Sequence, residues 1–136
     1  MTKKQVALIQ SSWKLATPFA QELGEVFYAR LFELYPKVRP LFKSDMTLQI
    51  QKLMATLDAV VKNLENLGEI TQDIKALAIR HKEYGTQPEH YAAVGDCLLW
   101  ALEKKLGKDW NLTLKEAWIS AYVFLSTTMI EAQNTK

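Results

Sequence analysis

Cysteine, histidine, glycine and proline are all scarce in this chain: one, two, five and four among 136 residues. The single cysteine, Cys97, cannot close an internal disulfide, which fits a reducing compartment. Two histidines and one cysteine are too few for a structural zinc site. No glycine-rich loop of the phosphate-cradling type occurs. A Cys97–histidine nucleophile pair is formally available, but nothing around Cys97 marks one. Charge of one sign is lacking too: 17 basic against 15 acidic residues leave +2, with no block of like charges. That balance excludes an electrostatic nucleic-acid footprint. No apolar run reaches the length of a membrane span. Met1-Thr-Lys-Lys-Gln leads straight into a periodic segment, not a signal core. The expected location is cytoplasmic. Apolar residues, by contrast, make up 49% of the chain, enough for one domain spanning 1–136 with its own core.

Those apolar residues recur at steps of three and four almost throughout, the period of helices buried on one face. Val6, Ile9, Trp13 and Ala16 mark a first helix, with Thr2 and Gln5 as a capping box. Thr17 as cap and Pro18 restart the chain; Phe19, Leu23, Phe27, Leu31 and Leu34 then predict a second helix, stopped by Pro36. Pro40 keeps the following segment short and irregular. Ile50, Leu53, Leu57, Val60, Leu64 and Leu67 predict one long helix ending at Gly68. Ile70, Ile74, Leu77, His81 and Tyr84 predict the next, ending at Gly85. Pro88 opens a helix carrying Tyr91, Val94, Leu98, Leu102 and Leu106, closed by Gly107. Thr113 with Glu116 reads as the capping box of the last helix, which carries Leu114, Trp118, Ala121, Leu125 and Met129. No stretch alternates as a strand does. Uneven helix lengths argue against a symmetric bundle and for an all-α packing of six to eight helices.

Few side chains are then left to carry chemistry. His81 lies in phase with Ile74 and Leu77, so it is either a satisfied core histidine or a ligand. If one ring nitrogen donates to the carbonyl of Leu77, one turn back, the other faces the core unprotonated. His90, just after Pro88, reads as a surface or capping residue. Tyr28 borders the second apolar stripe, where a buried hydroxyl needs a partner. Gln49, Lys52 and Leu53 share one helical face. Taken singly, each also fits a plain structural role.

Taken in order, they form a series: Phe27-Tyr28, Leu31-Phe32, Pro36, Pro40-Leu41-Phe42, Gln49 and Leu53, Arg80-His81-Lys82, His90-Tyr91-Ala-Ala-Val94-Gly95, Ala117-Trp118 and Ala121-Tyr122. The series resembles the globin family, in particular its bacterial branch of flavohaemoglobins and single-domain haemoglobins, and runs nearly end to end. The resemblance implies a globin fold around one haem. It implies His81 as the proximal iron ligand, Phe42 flat on the haem, and Tyr28 and Gln49 above the iron. Leu53 would be the apolar distal wall, and Tyr91, Val94 and Leu98 would contribute to the proximal side. Lys52 would pair with a haem propionate. Because Cys-x-x-Cys-His is absent, the implied group is non-covalent haem b.

Three functions follow as alternatives. The first is reversible binding of oxygen, or of another small gas such as nitric oxide. The second is nitric oxide dioxygenation, which in the flavohaemoglobins uses a fused reductase and here would need an external one. One departure from the branch weakens it. Tyr91 matches the proximal tyrosine, but an ungapped register puts Gln133 where the branch has a glutamate, and Glu131 is two residues early. A neutral amide cannot make the same charged relay. The third alternative is a haem-free helical interaction module.

Overall fold

The computed structural model describes residues 1–42, 45–83 and 85–134. The first capping box forms as its spacing predicts: Thr2 Oγ1 accepts from the Gln5 amide and Gln5 Oε1 from the Thr2 amide, both at 3.0 Å. It opens α1 (Lys3–Ala16). A 3-10 turn, Thr17–Phe19, leads into α2 (Ala20–Leu34). Thr17 caps nothing in α2; its hydroxyl donates back to the Lys14 carbonyl at 3.3 Å. The two prolines shape a second 3-10 turn, Pro36–Leu41.

Helix α3 (Met46–Lys62) is capped by Asp45, whose carboxylate accepts from the Thr47 amide at 3.1 Å. It stops well before Gly68, although the apolar spacing runs on. Asn63 turns its side-chain amide onto the Ala59 carbonyl at 2.7 Å, the local competition by which asparagine ends helices. Leu64 therefore falls in a turn, and Leu67 and Ile70 in a third 3-10 turn, Leu67–Ile70. Then come α4 (Thr71–Glu83), α5 (Pro88–Leu106) and, after a 3-10 turn at Gly107–Asp109, α6 (Leu112–Asn134). Gly85 and Gly107 lie just past α4 and α5 with φ of +89° and +52°, the backbone region that favours glycine at a helix end. Tyr84 lies outside the described residues. The cap of α6 is Asn111, whose Oδ1 accepts from the Leu114 amide at 2.9 Å; Thr113 lies within the helix, in place of the predicted box. Among the described residues there are six α-helices and no strand.

The most extensive packing joins α2 to α5 and α4 to α6, while α1 lies on α3, α5 and α6. Phe27, Ile9, Leu23, Leu31, Leu102 and Cys97 are sealed at its centre. The two buried indoles are satisfied: Trp118 Nε1 donates to Ser12 Oγ and Trp13 Nε1 to Asp58 Oδ1, each at 2.9 Å. Helix α2 meets α3 at Gly24, where an added Cβ would collide with the Ile50 side chain, down to its own Cβ. Gly24→Ala must push α2 and α3 apart. We expect it to lower the urea-unfolding free energy by about 1–3 kcal/mol; an unchanged midpoint would show that the crossing yields freely.

Helices α3 and α4, in contrast, touch at most marginally. Helix α3 leans on α2 and α1, and α4 leans on α6. Gln49, Lys52 and Leu53 lie on α3 and His81 on α4, while Tyr28 is on α2, Phe42 follows the proline turn, and Tyr91, Val94 and Leu98 are on α5.

Candidate functional site

Helix α2 buries Tyr28 one turn after the Gly24 crossing, leaving it 5% exposed. Its ring sits in an aromatic cluster, 4.8 Å from Phe27, 5.8 Å from Phe32 and 5.4 Å from Phe42 between centroids. Phe42 meets Tyr28 edge-on at 76° and Phe32 at 66°. Arg39 fastens the cluster from outside: its guanidinium lies 5.1 Å over the Phe32 ring and donates to the Phe42 carbonyl at 3.0 Å. The rigid proline turn thus delivers Phe42 against Tyr28.

Gln49, in the first turns of α3, reaches the same place. Its Nε2 donates to Tyr28 Oη at 3.3 Å. Burial pushes the Tyr28 phenol up to about 12, against the lowering effect of the Gln49 bond. The phenol is therefore neutral at ordinary pH. Its oxygen accepts from Gln49, and its own proton remains to be given to another group. Leu53, one turn on, is half-buried against the core, whereas Lys52 is exposed.

On α4, His81 is half-buried and its Nδ1 lies 2.8 Å from the Leu77 carbonyl. A carbonyl only accepts, so Nδ1 carries the proton and Nε2 carries a lone pair. Burial holds the His81 pKa below its usual value; the Leu77 bond opposes this and the Arg80 charge adds to it. The side chain is thus a neutral imidazole, the form in which histidine gives an electron pair to a metal.

Helix α5 supplies Tyr91 and Leu98, both buried, and Val94, half-buried. The Tyr91 hydroxyl is buried without a hydrogen-bond partner. Gln133 does not serve it: this buried side chain donates to the Ala78 carbonyl at 3.4 Å. Tyr122 lies across Gly95 and donates to the Tyr91 carbonyl at 2.6 Å. His90 is a capping residue, as its position suggests, with Nδ1 accepting from the Gln87 amide at 2.9 Å.

Between α3 and α4 lies a cavity of about 300 Å³, walled by Ala55, Thr56 and Ala59 on one side and Ile74, Leu77 and Arg80 on the other. None of the predicted site residues is in its lining: Tyr28, Phe42, Gln49, Leu53, Tyr91, Val94 and Leu98 lie outside it, and His81 borders it only through its neighbours Leu77 and Arg80. The aromatic rings fill their end against one another. Sequence reasoning passed over Thr56 and noted Arg80 only as the neighbour of His81, without a role. The available signal was Ala55 and Ala59, small residues four apart that hollow one face of α3.

These observations suit a flat, largely apolar, metal-containing group between α3 and α4. Helices α3 and α4 make little contact, a neutral imidazole stands on α4, a protonated phenol stands behind α3, and a buried tyrosine hydroxyl has no partner among the described residues. Among the described residues no cluster of three or more His, Cys, Asp or Glu could hold a metal by itself.

Comparison with known proteins agrees. The chain is 29% identical to neuroglobin-1 of Oncorhynchus mykiss, covering 95% of this chain and 90% of that protein. It is 27% identical to the flavohemoprotein of Vibrio cholerae, covering 98% of this chain but 34% of that longer protein. A solved bacterial globin from Campylobacter jejuni superposes with a TM-score of 0.85 at 28% identity, over 97% of this chain and 96% of that one. Residues 25–129 match the family described as Globin, and the chain belongs to the globin family.

Proposed function

We infer that residues 1–136 act as one globin domain, which holds a haem b between α3 and α4 and reversibly binds oxygen or another small diatomic gas such as nitric oxide. The observation that carries this reading is His81, a neutral imidazole oriented by the Leu77 carbonyl on a helix that α3 does not cover. Ferrous haem, when bound, supplies an iron that takes a diatomic ligand reversibly.

The chain's own residues do the rest. His81 gives its Nε2 lone pair to the metal, and Leu77 holds its ring. Tyr91, Val94 and Leu98 would form the wall on the His81 side, and Phe42 would hold the group by apolar contact. Lys52, exposed on α3, offers its ammonium to a propionate at the solvent edge. On the gas side Tyr28 would donate a hydrogen bond to a negatively polarised ligand, Gln49 would support that hydroxyl, and Leu53 would exclude water.

The match to a flavohemoprotein favours a second reading, nitric oxide dioxygenation with electrons from a reductase. Gln133 weighs against it: the amide is spent on Ala78, and the Tyr91 hydroxyl has no carboxylate partner.

Absorption spectra of the purified protein test the proposal. We expect a strong Soret band and a five-coordinate ferrous form without added ligand. The other histidine, His90, sits at the start of α5 with its Nδ1 engaged by the Gln87 amide. A colourless protein that takes up no added haem would favour the haem-free interaction module. A low-spin, bis-histidine ferrous spectrum would overturn the proposed arrangement.

A further inference from the structure

The geometry points to Gln133 and Lys82 as a clamp that sets the rotation of α4 about its own axis, and with it the direction of the His81 ring. The inference rests on the reading of His81 as the iron ligand.

Helix α4 has 13 residues and packs on α6 and on the 3-10 turn that precedes it. It shares with α6 one of the two most extensive packing surfaces of the fold, and its fully buried side chains, Ile74 and Ala78, are apolar. Apolar packing holds α4 on α6 but carries no hydrogen-bond geometry to fix its rotation. Two directional contacts to α6 lie near its far end. Gln133 Nε2 donates to the Ala78 carbonyl at 3.4 Å, and Lys82 Nζ donates to the Gln133 carbonyl at 3.0 Å. One residue of α6 thus gives a bond from its side chain and receives one at its backbone. The two attachment points on α4, Ala78 and Lys82, lie one turn apart and bracket His81.

Both bonds have reasons to persist. Gln133 is 5% exposed and sits where the buried stripe of Leu125 and Met129 would next place an apolar residue. A buried amide left without its acceptor is costly, so the side chain stays on Ala78. The Gln133 carbonyl belongs to the last turn of α6, whose carbonyls lack N–H donors within the helix. An ammonium is well suited to such a terminus, both as donor and as charge. Ala78 adjoins Leu77, whose carbonyl holds His81 Nδ1. Moving the peptide between them moves the acceptor that orients the imidazole. Gln133 and Lys82 are therefore positioning residues, acting through the backbone of residues 77–78.

The test uses the full chain with haem: wild type, Gln133→Leu, Gln133→Glu, Lys82→Met and Lys82→Arg. It reads the ferrous iron–histidine stretching band by resonance Raman, haem transfer to an excess of a scavenging apoprotein, and hydrogen exchange of the α4 amides without haem. Leucine keeps the volume and glutamate the length, but neither donates to Ala78. Both should displace or broaden the band and speed haem transfer roughly 2- to 10-fold, the equivalent of one lost hydrogen bond. Exchange in the last turn of α4 should rise. Lys82→Met should act in the same direction, and Lys82→Arg, which keeps a donor, should match wild type. A merely structural tether would lower stability and leave the band in place. If the wild type shows the band and the variants do not change it, the clamp is wrong and the role of His81 stands. If Gln133→Leu does not fold, Lys82→Met decides alone, since Lys82 is exposed, and an unmoved band overturns the clamp. A wild type that binds haem without this band overturns the role of His81, and the clamp with it.

Discussion

His81→Ala is expected to leave the protein folded but unable to retain haem at neutral pH. Nothing else described in the structure can take over the electron-pair donation. His90 is engaged at the start of α5. Cys97 is buried, and burial pushes its thiol up to about 11, so it is no thiolate. The Tyr28 and Tyr91 phenols are pushed up as well and stay protonated. Loss of partners that merely orient a ligand weakens metal binding by about 10- to 100-fold, so loss of the ligand itself should exceed that range. Helix α4 should survive, because Ile74 and Ala78 make its buried contacts. Circular dichroism should therefore match wild type while the Soret band disappears on gel filtration, and free imidazole should restore it in part. A variant with an unchanged ferrous spectrum and no imidazole would remove His81 from the site.

Tyr28→Phe should release oxygen roughly 10- to 100-fold faster, since a hydrogen bond to a charged acceptor contributes about 1.5–3 kcal/mol. Phenylalanine keeps the ring and its contacts with Phe27, Phe32 and Phe42, so the change isolates the hydroxyl. Oxygen association should alter less, because access limits it. Carbon monoxide release should alter little, because that ligand is nearly neutral and gains little from a donor. Gln49→Leu should act in the same direction and by less. The structure supplies a reason: Gln49 donates to Tyr28 Oη at 3.3 Å, so part of its influence passes through the phenol. In the double variant the Gln49 effect should largely vanish, a coupling read directly from the cycle. Stopped-flow displacement of oxygen by carbon monoxide measures all four proteins. Unchanged release in Tyr28→Phe would reduce Tyr28 to a core tyrosine.

Much of this architecture was already legible in the order of residues, and the legible part is local. The 3.6-residue period places the helices, the Thr2–Gln5 pair opens α1, and Gly85 and Gly107 mark two ends. The Leu77–His81 bond follows from a four-residue offset within one helix, so the orientation of the imidazole is a local property. Even local reading slips where two signals compete. At Asn63 the side chain outbids an apolar pattern that would carry α3 further, and at Asn111 the better cap lies two residues before the threonine that resembles one.

What only the tertiary structure decided concerns distances between helices. Tyr28 and Gln49 are 21 residues apart, and Ala78 and Gln133 are 55 apart. Their meeting depends on how closely α2 approaches α3 at Gly24 and on how α6 lies against α4. No spacing within either partner reports that approach, because it is set by the summed volume of side chains from several helices. The sparse contact between α3 and α4 is of the same kind: α3 packs on α1 and α2, α4 on α6, and the cleft is left between them.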